Sequence, residues 1–96
     1  MRTSVLLERK RRVVRAAIDR SRLKNPRIFG SVLHGTDQEG SDLDLLVDAP
    51  PGTTLFELGG LQEELELLLG IRVEVLTPED LPEKFRAKVL SEAKAL

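Results

Sequence analysis

Apolar residues recur at helical spacing from the start of the chain. Leu6, Leu7, Val13, Val14, Ala17 and Ile18 fall on one side, while Arg9, Lys10, Arg11, Arg12, Arg15 and Arg20 fill the other. Ser4 stands where an N-cap is wanted, so the pattern predicts an amphipathic first helix starting there. Asn25-Pro26 is expected to end it, because the residue before a proline is pushed out of helical backbone. Arg27-Ile28-Phe29 reads as a short buried strand, Ser31 to Gly35 as a helical turn, and Thr36 to Ser41 as a polar loop. Asp42 to Val47 reads as a second strand. Asp48-Ala49-Pro50-Pro51-Gly52 breaks it, with Asp48 a turn former at the strand end.

Thr54 and Glu57 have the spacing of a capping box. They open a helix whose expected buried stripe is Leu55, Leu58, Leu61, Leu65, Leu68 and Leu69. Gly59-Gly60 inside that helix costs about 1 kcal/mol per residue relative to alanine, so close packing against a neighbour is the expected reason for both. Gly70 supplies a stop. Ile71 to Leu76 predicts a third strand, with Ile71, Val73 and Val75 on one face and Arg72, Glu74 and Leu76 on the other. Thr77-Pro78-Glu79-Asp80 starts a short helix. A final helix from Pro82 is expected to bury Phe85, Val89, Leu90 and Ala93 and to run to the end of the chain. This alternation predicts a single α/β domain over residues 1–96.

At 96 residues one small core is possible, without room for a separate substrate domain. The chain has no cysteine and a single histidine, His34, which excludes disulfides, thiolate metal sites and multi-histidine zinc cages. Oxygen ligands remain, and they favour magnesium or manganese. No apolar run approaches the roughly 18 residues of a membrane span, and a soluble, cytoplasmic protein without a membrane partner is expected. The net charge of −1 conceals an asymmetry: residues 1–29 carry ten Lys and Arg against two acids, and residues 30–96 carry five against fourteen. The basic N-terminal face is suited either to an acidic ligand or simply to solvent.

The candidate chemistry lies in Asp42-Leu43-Asp44. Alternation along a strand puts both carboxylates on one face and Leu43, Leu45 and Val47 on the other. Like charges held side by side repel, so a fold that places them together usually supplies a divalent cation. Gly30-Ser31 stands ten intervening residues upstream. Together with Arg27-Ile28-Phe29, Val32-Leu33-His34-Gly35, Ser41 and Leu45-Leu46-Val47-Asp48, this pattern resembles the nucleotidyltransferase superfamily typified by DNA polymerase β. Within it the chain resembles the minimal nucleotidyltransferases of prokaryotes. Leu81 to Leu96 also resembles the C-terminal helix of that family, so the likeness covers nearly the whole chain.

The resemblance implies a nucleotidyltransferase fold with a small mixed sheet of three or four strands flanked by helices. It implies that Asp42 and Asp44 hold two Mg²⁺ ions, with Mn²⁺ as a substitute. Glu74 is implied as the third carboxylate, where many relatives have aspartate. Gly30 and Ser31 would bind the triphosphate of ATP, and His34 would contact phosphate where the family often has arginine. The implied activity is transfer of AMP from ATP to a hydroxyl on a partner protein. The implied partner is a HEPN-domain toxin encoded by an adjacent gene, with this chain as its antitoxin. The rival reading is a weak or inactive binding module that neutralises the toxin by occlusion. A nucleic-acid acceptor is disfavoured, because the only aromatics are three phenylalanines.

Overall fold

Residues Thr3–Arg20 form the first helix, α1, which buries Leu7, Val14, Ala17 and Ile18. Its first turn differs from expectation. The N-cap is Arg2, whose side chain makes no capping bond, and Ser4 is the capped residue. The buried Asp37 accepts the Ser4 amide on Oδ2 at 2.7 Å, so a loop distant in sequence satisfies a donor that the helix leaves open. The helix ends at Arg20, before Asn25-Pro26, where Ser21 Oγ donates to the Ile18 carbonyl at 2.6 Å and accepts the Leu23 amide at 3.2 Å.

Strand β1 is longer than predicted, Lys24–Phe29, and contains the proline. It tolerates Pro26 because its register shifts between Lys24 and Arg27. Asn25 there takes a left-handed φ of 52°. Helix α2 (Gly30–His34) follows as a single turn closed by Gly35 at φ 71°. Strand β2 is Leu43–Asp48, and helix α3 is Leu55–Leu69. Both bonds of the capping box are present, Glu57 N–H to Thr54 Oγ1 at 3.2 Å and Thr54 N–H to Glu57 Oε2 at 2.6 Å. Gly70 ends α3 in the left-handed region, as expected. Strand β3 (Val73–Leu76) then leads through a 3-10 turn at Pro78–Asp80 to helix α4 (Glu83–Glu92) and a two-residue strand β4 (Lys94–Ala95).

The computed structural model describes all residues 1–96. Its mixed sheet has the order β3-β2-β1-β4. β1 runs antiparallel to β2 and β4, while β2 and β3 are parallel and joined by α3 as crossover. Leu43, Leu45 and Val47 of β2 meet Leu61, Leu65 and Leu69 of α3 and the apolar stripe of α1 in one core. The alternate residue Leu46 is also fully buried, on the opposite face of the sheet, where the Pro78–Asp80 turn packs against β2. The outer edge of β3 is closed by side chains of α3: the Val73 amide donates to Glu66 Oε2 at 3.0 Å and the Val75 amide to Gln62 Oε1 at 3.1 Å.

Three packing expectations are corrected. Leu55 is 84% exposed and Phe56 is 92% exposed, since the first turn of α3 projects past the core. A Cβ on Gly59 or Gly60 would meet nothing within 4 Å, so neither is retained by close packing. Helix α4 lies on the surface with Phe85 and Leu90 exposed, and it stops at Glu92 because the chain turns to pair Lys94–Ala95 with β1. Leu96 re-enters the core, its amide donating to the Pro26 carbonyl at 3.0 Å. No helix is long and apolar enough to cross a membrane.

Candidate active site

Cross-strand register assembles the site. Phe29 pairs with Asp44 across β1 and β2, and Asp44 pairs with Glu74 across β2 and β3. Paired residues share a face, so the end of β1, Asp44 and Glu74 form one row across the sheet, on the face away from the main core. Gly30 closes the row beside β1. It sits at φ 75°, and a Cβ there would collide with Asp44 Oδ2 and come within 3.1 Å of Asp44 Cγ. Glycine is required here on both counts, because the backbone is left-handed and the carboxylate occupies the space of a side chain.

Asp42 lies just before β2 and is exposed, and Asp44 is half-buried. The two carboxylates remain close enough to feel each other. Burial first, then the charges of Glu74 and Asp42 and a hydrogen bond to Glu74, push the Asp44 carboxyl up to about 6. None of the three acids has an ion-pair partner. Asp42, Glu74 and Arg72 line one end of a polar groove of about 270 Å³, which continues past Gln62 and Glu66 along the edge of β3.

Three uncompensated carboxylates are the donor chemistry that a hard divalent cation takes, and in that respect the residues present fit Mg²⁺ or Mn²⁺. The array is open rather than a closed cage, for no three His, Cys, Asp or Glu side chains are already drawn together to hold an ion.

Ser31 is half-buried in the single turn of α2, next to Gly30. His34, at the end of that turn, is exposed, with Nε2 3.8 Å from Glu92 Oε1 of α4. That contact is an ion pair only when the imidazole carries its proton. Asp48 stands apart: its carboxylate accepts from Arg27 at 2.5 Å and from Asn25 at 3.1 Å, which ties the far end of β2 to β1.

Sequence patterning gave no sign of the residues that hold the loop leading to Asp42. Asp37 Oδ1 accepts from Arg2 Nη2 at 2.9 Å, and its backbone carbonyl accepts from Arg2 Nε at 3.0 Å. Thr3 Oγ1 donates to the Ser41 carbonyl at 2.5 Å. The Ser4 amide above all, helped by Arg2, holds the Asp37 carboxyl below the usual carboxylate range. The loop from α2 to β2 is thereby fastened to the start of α1, and Asp42 with it.

Comparison with known proteins identifies the fold. The nucleotidyltransferase domain model matches residues 10–96. A relative in Methanocaldococcus jannaschii, named as a protein adenylyltransferase, is 38% identical over 71 residues, which span 74% of this chain and 76% of that protein. A solved structure of a minimal nucleotidyltransferase superposes with a TM-score of 0.83 at 39% identity, covering 97% of this chain and 95% of the other. A toxin–antitoxin structure with AMP-PNP shares the fold at a TM-score of 0.72 and 20% identity, over 85% of this chain and 68% of its counterpart. With the glycine-backed carboxylate row in the fold of that family, the chain belongs to the nucleotidyltransferases and is a transferase.

Proposed function

We propose that this chain transfers AMP from ATP to a hydroxyl on a partner protein, a HEPN-domain toxin, and so acts as its antitoxin. The observation that carries the reading is the Asp44 carboxylate, lodged against Gly30 on one side and beside Glu74 on the other. A triphosphate lying along the turn at Gly30 and Ser31 sets its α-phosphorus at Asp44, whose carboxylate lies directly against Gly30. The acceptor hydroxyl approaches from the Glu74 side. Its oxygen bonds to the α-phosphorus as the bond to pyrophosphate breaks, and Glu74 takes the hydroxyl proton. Asp42, Asp44 and Glu74 would hold Mg²⁺, two ions with Mn²⁺ as substitute, which when bound neutralises charge on the phosphoryl group.

A protein acceptor is supported by the name of the M. jannaschii relative, and a toxin partner by the toxin–antitoxin structure that shares the fold. The test incubates the purified chain with Mg²⁺, labelled ATP and the product of the adjacent gene. Label on the partner, lost in the Asp42→Ala/Asp44→Ala variant, is expected; no transfer by the native chain refutes the enzymatic reading. Occlusion without transfer is favoured by one feature, the exposed Leu55 and Phe56 on α3, which suit a binding surface. Full rescue of toxicity by the double variant would establish that alternative.

A further inference from the structure

Helices α1 and α3 cover the sheet face of Leu43, Leu45 and Val47, and each carries a second stripe on its outward side. On α3, Phe56, Gly60, Glu63 and Leu67 succeed one another at intervals of four, three and four residues, the spacing of a helix–helix seam. All four are exposed, and so is Gly59. Leu67 is 80% exposed, nearly as open as Phe56. A helix with apolar residues on two opposite sides has one side left to bury outside its own chain. The two glycines leave the middle of the stripe free of side chains, so another helix can come close to the backbone there.

Charge identifies what covers the stripe. Helix α3 contains four acids and no base. Three of the acids are engaged within the chain: Glu57 closes the capping box and pairs with Arg22, Glu64 pairs with Arg20, and Glu66 accepts the Val73 amide. Glu63 is left, in the middle of the outward stripe. On α1 the same intervals recur in Val5, Arg9, Arg12 and Ala16, with Val13 alongside, and all five are exposed. Lys10 and Arg15 are held by the carbonyls of Leu68 and Leu96, and Arg11 and Arg20 by Glu8 and Glu64. Arg9 and Arg12 are the bases of α1 left without a partner, and both stand on its outward stripe. The free charges of the two stripes are therefore opposite in sign, and each stripe has apolar residues beside them.

Two adjacent stripes of this kind complement themselves under a two-fold rotation, which lays α1 of one copy on α3 of the other twice over. The acceptor of the proposed transfer has to reach Asp44 and Glu74, which lie on the opposite face of the sheet. A toxin seated on α1 and α3 would be on the wrong side for that reaction. We propose that the outward faces of α1 and α3 form the interface of a two-fold dimer of this chain, with Phe56 and Leu67 meeting Val5 and Val13, and Glu63 facing Arg9 and Arg12 of the second copy. The two carboxylate rows then open away from the interface, each free to receive a partner.

Sedimentation equilibrium of the full chain, without nucleotide, measures the association. The native chain is expected to be a dimer at about 100 μM. Phe56→Glu should raise the dissociation constant about thirtyfold or more, because two-fold symmetry removes the aromatic anchor twice. Gly60→Glu should also weaken the dimer while leaving the single chain folded, since a Cβ there meets nothing within 4 Å. Glu63→Arg should weaken association about tenfold, and adding Arg9→Glu and Arg12→Glu should restore it. A native chain still monomeric at about 1 mM would overturn the proposal, as would a dimer that every one of these variants leaves intact. A monomeric native chain whose binding to the product of the adjacent gene is lost in Phe56→Glu would assign the face to the toxin and favour occlusion. Failure of label transfer would refute nucleotidyl transfer and leave the dimer standing, because sedimentation needs no nucleotide.

Discussion

Asp44→Asn is expected to make the metal-free protein more stable while abolishing transfer. The Asp44 carboxyl is raised from 3.8 to about 6 in the folded chain, by burial first and then by Glu74 and Asp42. Between those two values the native state binds more protons than the unfolded state, so the free energy of unfolding falls as pH rises from about 4 to about 6 and then levels. Two pH units at about 1.4 kcal/mol each set a ceiling near 3 kcal/mol. Asp44 is only half-buried, and solvent and salt screening reduce the expected gain at neutral pH to about 1–2 kcal/mol. Asparagine nearly keeps the shape and can still donate to Glu74, as the protonated acid does. Urea unfolding in chelator at pH 7.5 and pH 4 measures the difference. For a chain of this size, 1 kcal/mol is roughly 4–8 °C in Tm. A variant no more stable than the native chain at pH 7.5, or a gain that persists unchanged at pH 4, would refute the account of Asp44 as a strained, uncompensated charge.

Gly30→Ala should cost about 1–2 kcal/mol for the left-handed backbone alone, with more from the Cβ that collides with Asp44; transfer should drop at least tenfold while the chain still folds by circular dichroism. Asp37→Ala removes two charge-assisted bonds, to the Ser4 amide and to Arg2. Because Arg2 is half-exposed, the expected loss is about 2 kcal/mol in urea unfolding. The Asp37 contribution has the opposite pH sign to that of Asp44: its folded pKa is depressed, so in the native chain it is present above 3.8 and fades as pH falls through the folded value. Gly59→Ala and Gly60→Ala should each stabilise by up to about 1 kcal/mol in thermal melts, since nothing crowds either position.

The carboxylate pair was legible because strand alternation alone decides facing: Leu43, Leu45 and Val47 must go inward, so Asp44 cannot. The Thr54–Glu57 capping box and the Gly70 stop were legible for a similar reason, since each is a contact within one turn. What the pattern does not encode is distance in space. Leucine spacing shows which side of α3 is apolar but not where its neighbours end, so Leu55 was expected to be buried. Asp37 caps its helix through the amide of Ser4, 33 residues earlier, and no local signal marks such a bond. Strand β4 has two residues, too few for any period, so α4 was expected to continue through it.

The common level of Gly30, just past the end of β1, with Asp44 on β2 and Glu74 on β3 bears on how errors in assembly would show themselves. Sliding β2 by two residues keeps its leucines pointing inward. It carries Asp44 about 6–7 Å from its glycine, at 3.2–3.4 Å per residue, and brings Ser41 or Ala49 into the fully buried row of Leu43, Leu45 and Val47. Misaligned molecules would therefore melt earlier and contribute nothing to turnover, so stability and specific activity should fall together when strand alignment fails.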